Sequence, residues 1–283
     1  MASRARVLAI GDTDVGKKRS VNEDSFMVID DHNLYVVADG MGGHASGEVA
    51  SRMAIETLRD FFAATANDPE ATWPYKMDKS RGYEENRLIT SIKLANLRIY
   101  EAAQRDPRLR GMGTTLASIL VVEEGVLLAH VGDSRVYRFR NNQLEQLTED
   151  HSLLNDYIKM KRLTPEEIAN FPHKNVIVRA LGMKDTVKVD TRLDHPQPGD
   201  LYVLCSDGLC GPVSDEEILE LARGTNDLKQ GASRLIERAN AADGPWVVVG
   251  VPVSETGPTK GTTVSYVDST YSTGTTPVWY RVT

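Results

Sequence analysis

Three times in this chain an apolar run with the composition of a core strand ends in an aspartate followed by a small residue: LYVVADG at Asp39, LLAHVGDS at Asp133 and LYVLCSDG at Asp207. An unpaired carboxylate costs several kcal/mol to bury, so core strands rarely finish this way without a compensating cation. The acidic pair Glu23 and Asp24 adds two more carboxylates. The pattern demands a fold that brings several strand ends together, and it points to carboxylates converging on a shared metal site.

Composition narrows the partners. The chain has 33 basic and 40 acidic residues, a net charge of −7, which argues against nucleic acid or an anionic membrane as the main partner. Six histidines and two cysteines form no zinc-like spacing, and Cys205 and Cys210, flanking the Asp207 turn, read as buried reduced thiols. No apolar stretch reaches the ~20 residues of a membrane span. The amino-terminal MASRARVLAIGD lacks the apolar core of a secretory signal, so the expected location is cytoplasmic.

Residues 34–38 read as a core strand. Val49, Met53, Ala54, Leu58, Phe61 and Phe62 have the spacing of a one-sided helix over 49–63. A proline-containing loop over 64–82 precedes a second helix that places Leu88, Ile92, Ala95, Ile99 and Ala102 on one face. Residues 116–147 read as a strand meander turning at Glu123-Glu124-Gly125 and at Asn141-Asn142. Capping boxes at Thr164–Glu167 and Ser214–Glu217 open helices, and a further helix is expected over 227–242. The apolar run 247–253 is expected to form a strand.

Six motifs then occur in order: RSVNED from Arg19, ADGMGG at 38–43, GMGTTL at 111–116, GDSR at 132–135, TEDHS at 148–152 and SDGL at 206–209. Each alone is weak. Together they resemble the metal-dependent protein serine/threonine phosphatases of type 2C, in the bacterial single-domain branch, over roughly residues 7–245. The resemblance implies an α+β fold, a four-layer αββα sandwich with two central antiparallel sheets flanked by helices. It implies a phosphatase domain over 1–253 with a flap at about 150–182, followed by an atypical tail over 254–283.

For the chemistry, the resemblance implies hydrolysis of phosphoserine and phosphothreonine by a metal-activated water, with Mn²⁺ or Mg²⁺ in two tight sites and a third, looser one. Hard oxygen ligands suit those ions. Asp39 would bridge the two tight metals, and the Gly40 carbonyl would bind one of them. Asp207 would bind the other, Glu23 and Asp24 would hold metal-bound water, and Asp133 would share the looser ion with Asp207. Arg19 would grip the phosphate through its planar fork, although a surface arginine in the basic run 17–19 is the plainer reading of that residue alone. The GMGTT turn is expected to be structural. Phosphorylated proteins are the implied partners, with a serine/threonine kinase acting on the same substrates, and a monomer is the default.

Two departures stand out. Met41 occupies the position at which many eukaryotic members carry a histidine, and His44 is displaced by three residues. More seriously, an Asp-Asn pair that supplies a metal ligand in the family is replaced by Trp246 and Val247. Asp243 is a candidate substitute. Beyond Pro252 the composition changes: residues 254–283 contain no Ala, Leu or Ile. A catalytically impaired protein that binds phosphoproteins is therefore the alternative reading.

Overall fold

Strands that are apolar on both faces need a cover on each side, and the molecule supplies it by stacking two sheets between two pairs of helices. The computed structural model describes residues 7–42, 46–66, 72–161, 163–223, 227–242, 247–248 and 279–282. Strands β1 (Val7–Leu8), β2 (Thr13–Asp14), β3 (Asp24–Ile29) and β4 (Leu34–Met41) precede helices α1 (Ser46–Thr65) and α2 (Tyr83–Arg105). A meander follows: β5 (Gly113–Thr114), β6 (Leu116–Val122), β7 (Gly125–Val131), β8 (Arg135–Arg140) and β9 (Gln143–Gln146). The segment expected to be a flap carries α3 (Leu153–Lys161) and α4 (Pro165–Ala169). Then come β10 (Asp190–Asp194), β11 (Leu201–Cys205), the single turn α5 (Asp207–Cys210), α6 (Asp215–Arg223), α7 (Leu228–Ala241), β12 (Val247–Val248) and β13 (Trp279–Val282).

The first sheet runs β10-β7-β6-β4-β3, with β5 added beside β4; the second runs β1-β13-β11-β8-β9. Every pairing in both is antiparallel. Side-chain alternation with period two then sorts each strand between two layers. In β4, Leu34, Val36 and Ala38 pack with α1 and α2 residues such as Leu58, Phe62, Ile92 and Ile99. Tyr35 and Val37 face the other way, into a layer shared with Ile119, Leu128, Tyr202 and Leu204. In β11, Leu201, Val203 and Cys205 pack under α6 and α7, against Ile218, Leu235 and Ile236. Each fully buried side chain of this size is worth roughly 1.5–3 kcal/mol, so the three layers together hold the four-layer α+β architecture.

Helix α1 extends beyond its expected limits of 49–63 at both ends, and α2 begins where the expected loop over 64–82 ends. The α1 carboxyl end is closed by α2, where Arg87 donates to the Phe62 carbonyl and to Thr65 Oγ1, each at 2.8 Å. Both capping boxes form, with Thr164 and Glu167 exchanging hydrogen bonds and Ser214 and Glu217 doing the same. Strands β3, β10 and β13 were not anticipated from the sequence. The expected strand over 247–253 is seen as Val247–Val248, pairing with Asp14 and Thr13, and its remainder lies outside the described residues. Trp279–Val282, from the compositionally odd carboxyl terminus, pairs with both β1 and β11.

Candidate active site

The strand pairing of β3 with β4 sets Asp24 directly opposite Asp39. Residues so placed in an antiparallel pair share a face, with Cβ atoms about 5 Å apart, and like charges there are destabilising. Asp39 thus lies inside β4 rather than beyond it, on the face that Tyr35 and Val37 turn toward the second sheet. Its peptide is clamped from both sides by the GTT turn. Asp39 N–H donates to Thr115 Oγ1 at 3.0 Å, while Thr115 N–H and the Thr114 hydroxyl donate to the Asp39 carbonyl at 2.8 and 2.9 Å. Next to it, Gly40 meets the start of α1 backbone to backbone: a Cβ on Gly40 would lie 2.1 Å from the Gly47 carbonyl oxygen, and one on Gly47 would lie 2.7 Å from Glu23 Oε1. Neither position tolerates a side chain.

The other two aspartates arrive from connections. Asp133 sits on the link from β7 of the first sheet to β8 of the second, and Asp207 follows the end of β11. Thr115 Oγ1 and Ser134 Oγ hydrogen-bond at 2.6 Å, tying the Asp39 clamp to the Asp133 loop. The Ser206 hydroxyl donates to Asp24 Oδ2 at 2.9 Å, joining the residue before Asp207 to the first sheet. The four carboxylates therefore collect where the two sheets meet at one end of the sandwich.

Electrostatics registers the crowding. Burial and the neighbouring charges of Asp24, Asp207 and Asp133 push Asp39 well above the usual carboxylate range. Burial lifts Asp24 to about 7, against the hydrogen bond from Ser206 and with the help of Asp207. Burial, Asp207 and Asp150 lift Asp133 to about 7 as well. Asp133 Oδ1 is buried with no hydrogen-bond partner. An orphaned carboxylate oxygen amid mutually repelling acids is what a hard divalent cation would relieve, and the donor set is oxygen throughout. Among the described residues no three His, Cys, Asp or Glu side chains close into a ready-made cage.

Arg19 and Glu23 form an ion pair at the rim, with Arg19 exposed and Glu23 largely covered. Arg19 is close enough to Asp24 for its charge to favour ionisation there. All six expected ligand residues and Arg19 are thus described, with the four aspartates and Glu23 linked through Gly40, Ser206 and Thr115. Gly43, His44, Asp243 and Trp246 lie outside the described residues, and with them the expectation that Asp243 substitutes for the altered ligand. The cysteines are free thiols; Cys205 is buried as expected, but Cys210 is only half-buried. Sequence reasoning assigned no site role to Ser206 and called the threonines structural. Ser206 adjoins Asp207 in its own motif, whereas the threonines meet Asp39 only through the fold.

A family model for protein phosphatase 2C matches residues 12–242. The chain belongs to the protein phosphatase 2C family. A serine/threonine phosphatase stp of Listeria welshimeri is 38% identical over 240 residues, covering 82% of this chain and 89% of the relative. A Streptococcus agalactiae serine/threonine phosphatase superposes with a TM-score of 0.76 at 33% identity, over 88% of this chain and 100% of the other. The catalytic domain of the phosphatase PstP, in complex with two manganese ions, superposes with a TM-score of 0.69 at 35% identity, over 88% and 99% of the two chains. This phosphatase 2C member is a protein serine/threonine phosphatase acting on phosphoproteins, and the family is metal-dependent. Nothing among these relatives supports the alternative of an impaired phosphoprotein binder.

Proposed function

We propose that this phosphatase cleaves its phosphoester at the carboxylate cluster, by in-line attack of water on phosphorus without a phosphoenzyme. The observation that carries the reading is the Asp24–Asp39 register pair beside the orphaned Asp133 oxygen. Asp39 would bridge two Mn²⁺ or Mg²⁺ ions, with the Gly40 carbonyl on one and Asp207 on the other. Glu23 and Asp24 would hold coordinated water, and Asp133 with Asp207 would hold a third, looser ion. Divalent ions bound there lower the pKa of water and neutralise phosphoryl oxygens.

The remaining work falls to the chain. Arg19, exposed and ion-paired across the rim with Glu23, exchanges that carboxylate for the substrate phosphate, whose oxygens its fork fits in bidentate fashion. The threonine clamp on the Asp39 peptide keeps that carboxylate from turning away from its repelling neighbours. With Met41 at the histidine position, the leaving oxygen takes its proton from water. The domain boundary at 253, a cytoplasmic setting opposite a serine/threonine kinase, and a monomeric state are part of the same proposal. Among the described residues no helix is long and apolar enough to cross a membrane. Purified protein with millimolar Mn²⁺ should hydrolyse a phosphothreonine peptide; no turnover on peptide or aryl phosphate would overturn the reading.

A further inference from the structure

The TEDHS motif has no part in the site as described so far, yet its histidine touches the Asp133 loop twice. His151 N–H donates to the Gly132 carbonyl at 2.9 Å, and Gly132 N–H donates to His151 Nδ1 at 3.0 Å. On its far side Gly132 is pressed against Thr115: at φ +109°, a Cβ there would lie 2.7 Å from the threonine side chain. The peptide that presents Asp133 is therefore gripped between Thr115 and the His151 ring.

The ring is itself held. Nδ1 is occupied as an acceptor, Nε2 lies 3.0 Å from Asp190 Oδ2 and 2.9 Å from Arg179 Nη1, and the ring stacks on His130 at 4.7 Å. Asp190 also receives Arg179 at 3.0 Å and Lys188 at 2.9 Å. Burial, reinforced by His130 and Arg179, lowers His151 to about 4, so the ring is neutral at physiological pH.

His151 also begins the flap. Val178 N–H donates to the His151 carbonyl at 2.9 Å and Leu153 N–H to the Val176 carbonyl at 2.8 Å, so the two flap arms are laced together at the base. The returning arm then exchanges hydrogen bonds between Leu181 and Thr114, at 2.8 and 3.1 Å. One arm of the flap is fastened to the Asp133 loop and the other to the turn that clamps Asp39.

We infer that His151 is a positioning residue that sets the Asp133 carboxylate through Gly132 and, with Asp190 and Arg179 behind it, couples the base of the flap to the cation held by Asp133. The inference rests on the reading of Asp133 as a ligand given above. Outer partners that orient a ligand typically account for about 10- to 100-fold in metal affinity. The test is calorimetric Mn²⁺ titration of the metal-free full chain, with its thermal melt and turnover recorded alongside. His151→Gln keeps a polar atom near Nε2 and loses the one at Nδ1; His151→Asn does the reverse.

His151→Gln should weaken the weakest class of Mn²⁺ sites by about 10- to 100-fold, and His151→Asn by much less. Asp190→Asn, which leaves the ring in place but loosens it, should fall between them and keeps the test open should His151→Gln fail to fold. In an Asp133→Ala background, His151→Gln should change the remaining affinities no further, because its effect passes through Asp133. An equal loss in that background would mean a general structural role and overturn the inference. So would wild-type Mn²⁺ binding by His151→Gln, or a His151→Asn variant as impaired as His151→Gln. If Asp133→Ala alone leaves Mn²⁺ binding unchanged, the ligand reading itself fails; if it weakens binding while His151→Gln does not, only the positioning role fails.

Discussion

The two central sheets follow one plan and are closed in different ways. The β10-β7-β6-β4-β3 sheet is built from residues 24–194, its strands joined to sequence neighbours or through α1, α2 and the flap. The second sheet takes β8 and β9 from the same meander, but its far half joins the two ends of the chain: β13 lies between β1 and β11. The first sheet carries Asp24 and Asp39 within paired strands, whereas the second contributes Asp207 just beyond a strand end. A carboxylate inside a ladder is placed by register, and one past a strand end by whatever holds the strand. The first half of the site is therefore locally specified, and the second depends on how the chain terminus completes a sheet.

The largest effect that would sharpen this contrast is on Asp39. Asp39→Asn should lower kcat/KM by on the order of 10³-fold or more, since it removes the charge at the centre of the cluster. The fold should persist, because the amide relieves repulsion with Asp24. Activity near wild type would show that the first sheet does not carry the chemistry.

Deleting residues 279–283 comes next. It removes five register pairs, from Val7 and Leu8 on one side and Leu201, Tyr202 and Val203 on the other. At about 0.5–1.5 kcal/mol for each hydrogen bond lost, with about one bond per pair, the truncated chain should be destabilised by about 3–7 kcal/mol, read as a lower urea midpoint. An unchanged midpoint would break the comparison, since the second sheet would then not need its terminal strand.

Arg19→Lys tests the rim. Loss of the fork should raise KM for a phosphopeptide by about tenfold with a smaller change in kcat, for about 1–2 kcal/mol of charge-assisted hydrogen bonding. A pure kcat effect would move Arg19 from binding the phosphate to another role.

The smallest expected effect is on stability against pH. In metal-free protein, Asp24 and Asp133 titrate near 7, against 3.8 for an ordinary aspartate. The folded state holds protons that the unfolded chain has released, so this contribution is complete below pH 3.8 and is lost as pH rises through 7. The metal-free melting temperature should fall between about pH 5 and pH 8, and Mn²⁺ should flatten the slope by favouring the ionised forms. A metal-free melt that rises over that window would count against the crowding of these acids.

Much of the layered fold was legible because both of its periodicities are local. The uninterrupted apolar runs in LYVVADG and LYVLC mark strands covered on two faces, and the four- and three-residue steps from Leu88 to Ala102 mark a one-sided helix. Short or polar strands carried no such signal: DSFMVI and DTRLD became β3 and β10 only through their partners β4 and β7. The aspartates announced themselves by ending apolar runs, since that arrangement is costly without a cation. Their supports did not, because Thr115, Ser206 and His151 act through hydrogen bonds to residues 76, 182 and 19 positions away.

The order of residues was enough to say that core strands end in carboxylates, that helices cover them, and that the motifs resemble a protein phosphatase 2C. Burial periodicity and the cost of a desolvated charge are written residue by residue. Long-range pairing set Asp24 opposite Asp39, put the terminal strand into the second sheet between β1 and β11, and fastened the flap base to the Asp133 loop and to the turn that clamps Asp39. Those are matters of register and long-range pairing, and register is set by which strands meet, not by what either strand contains.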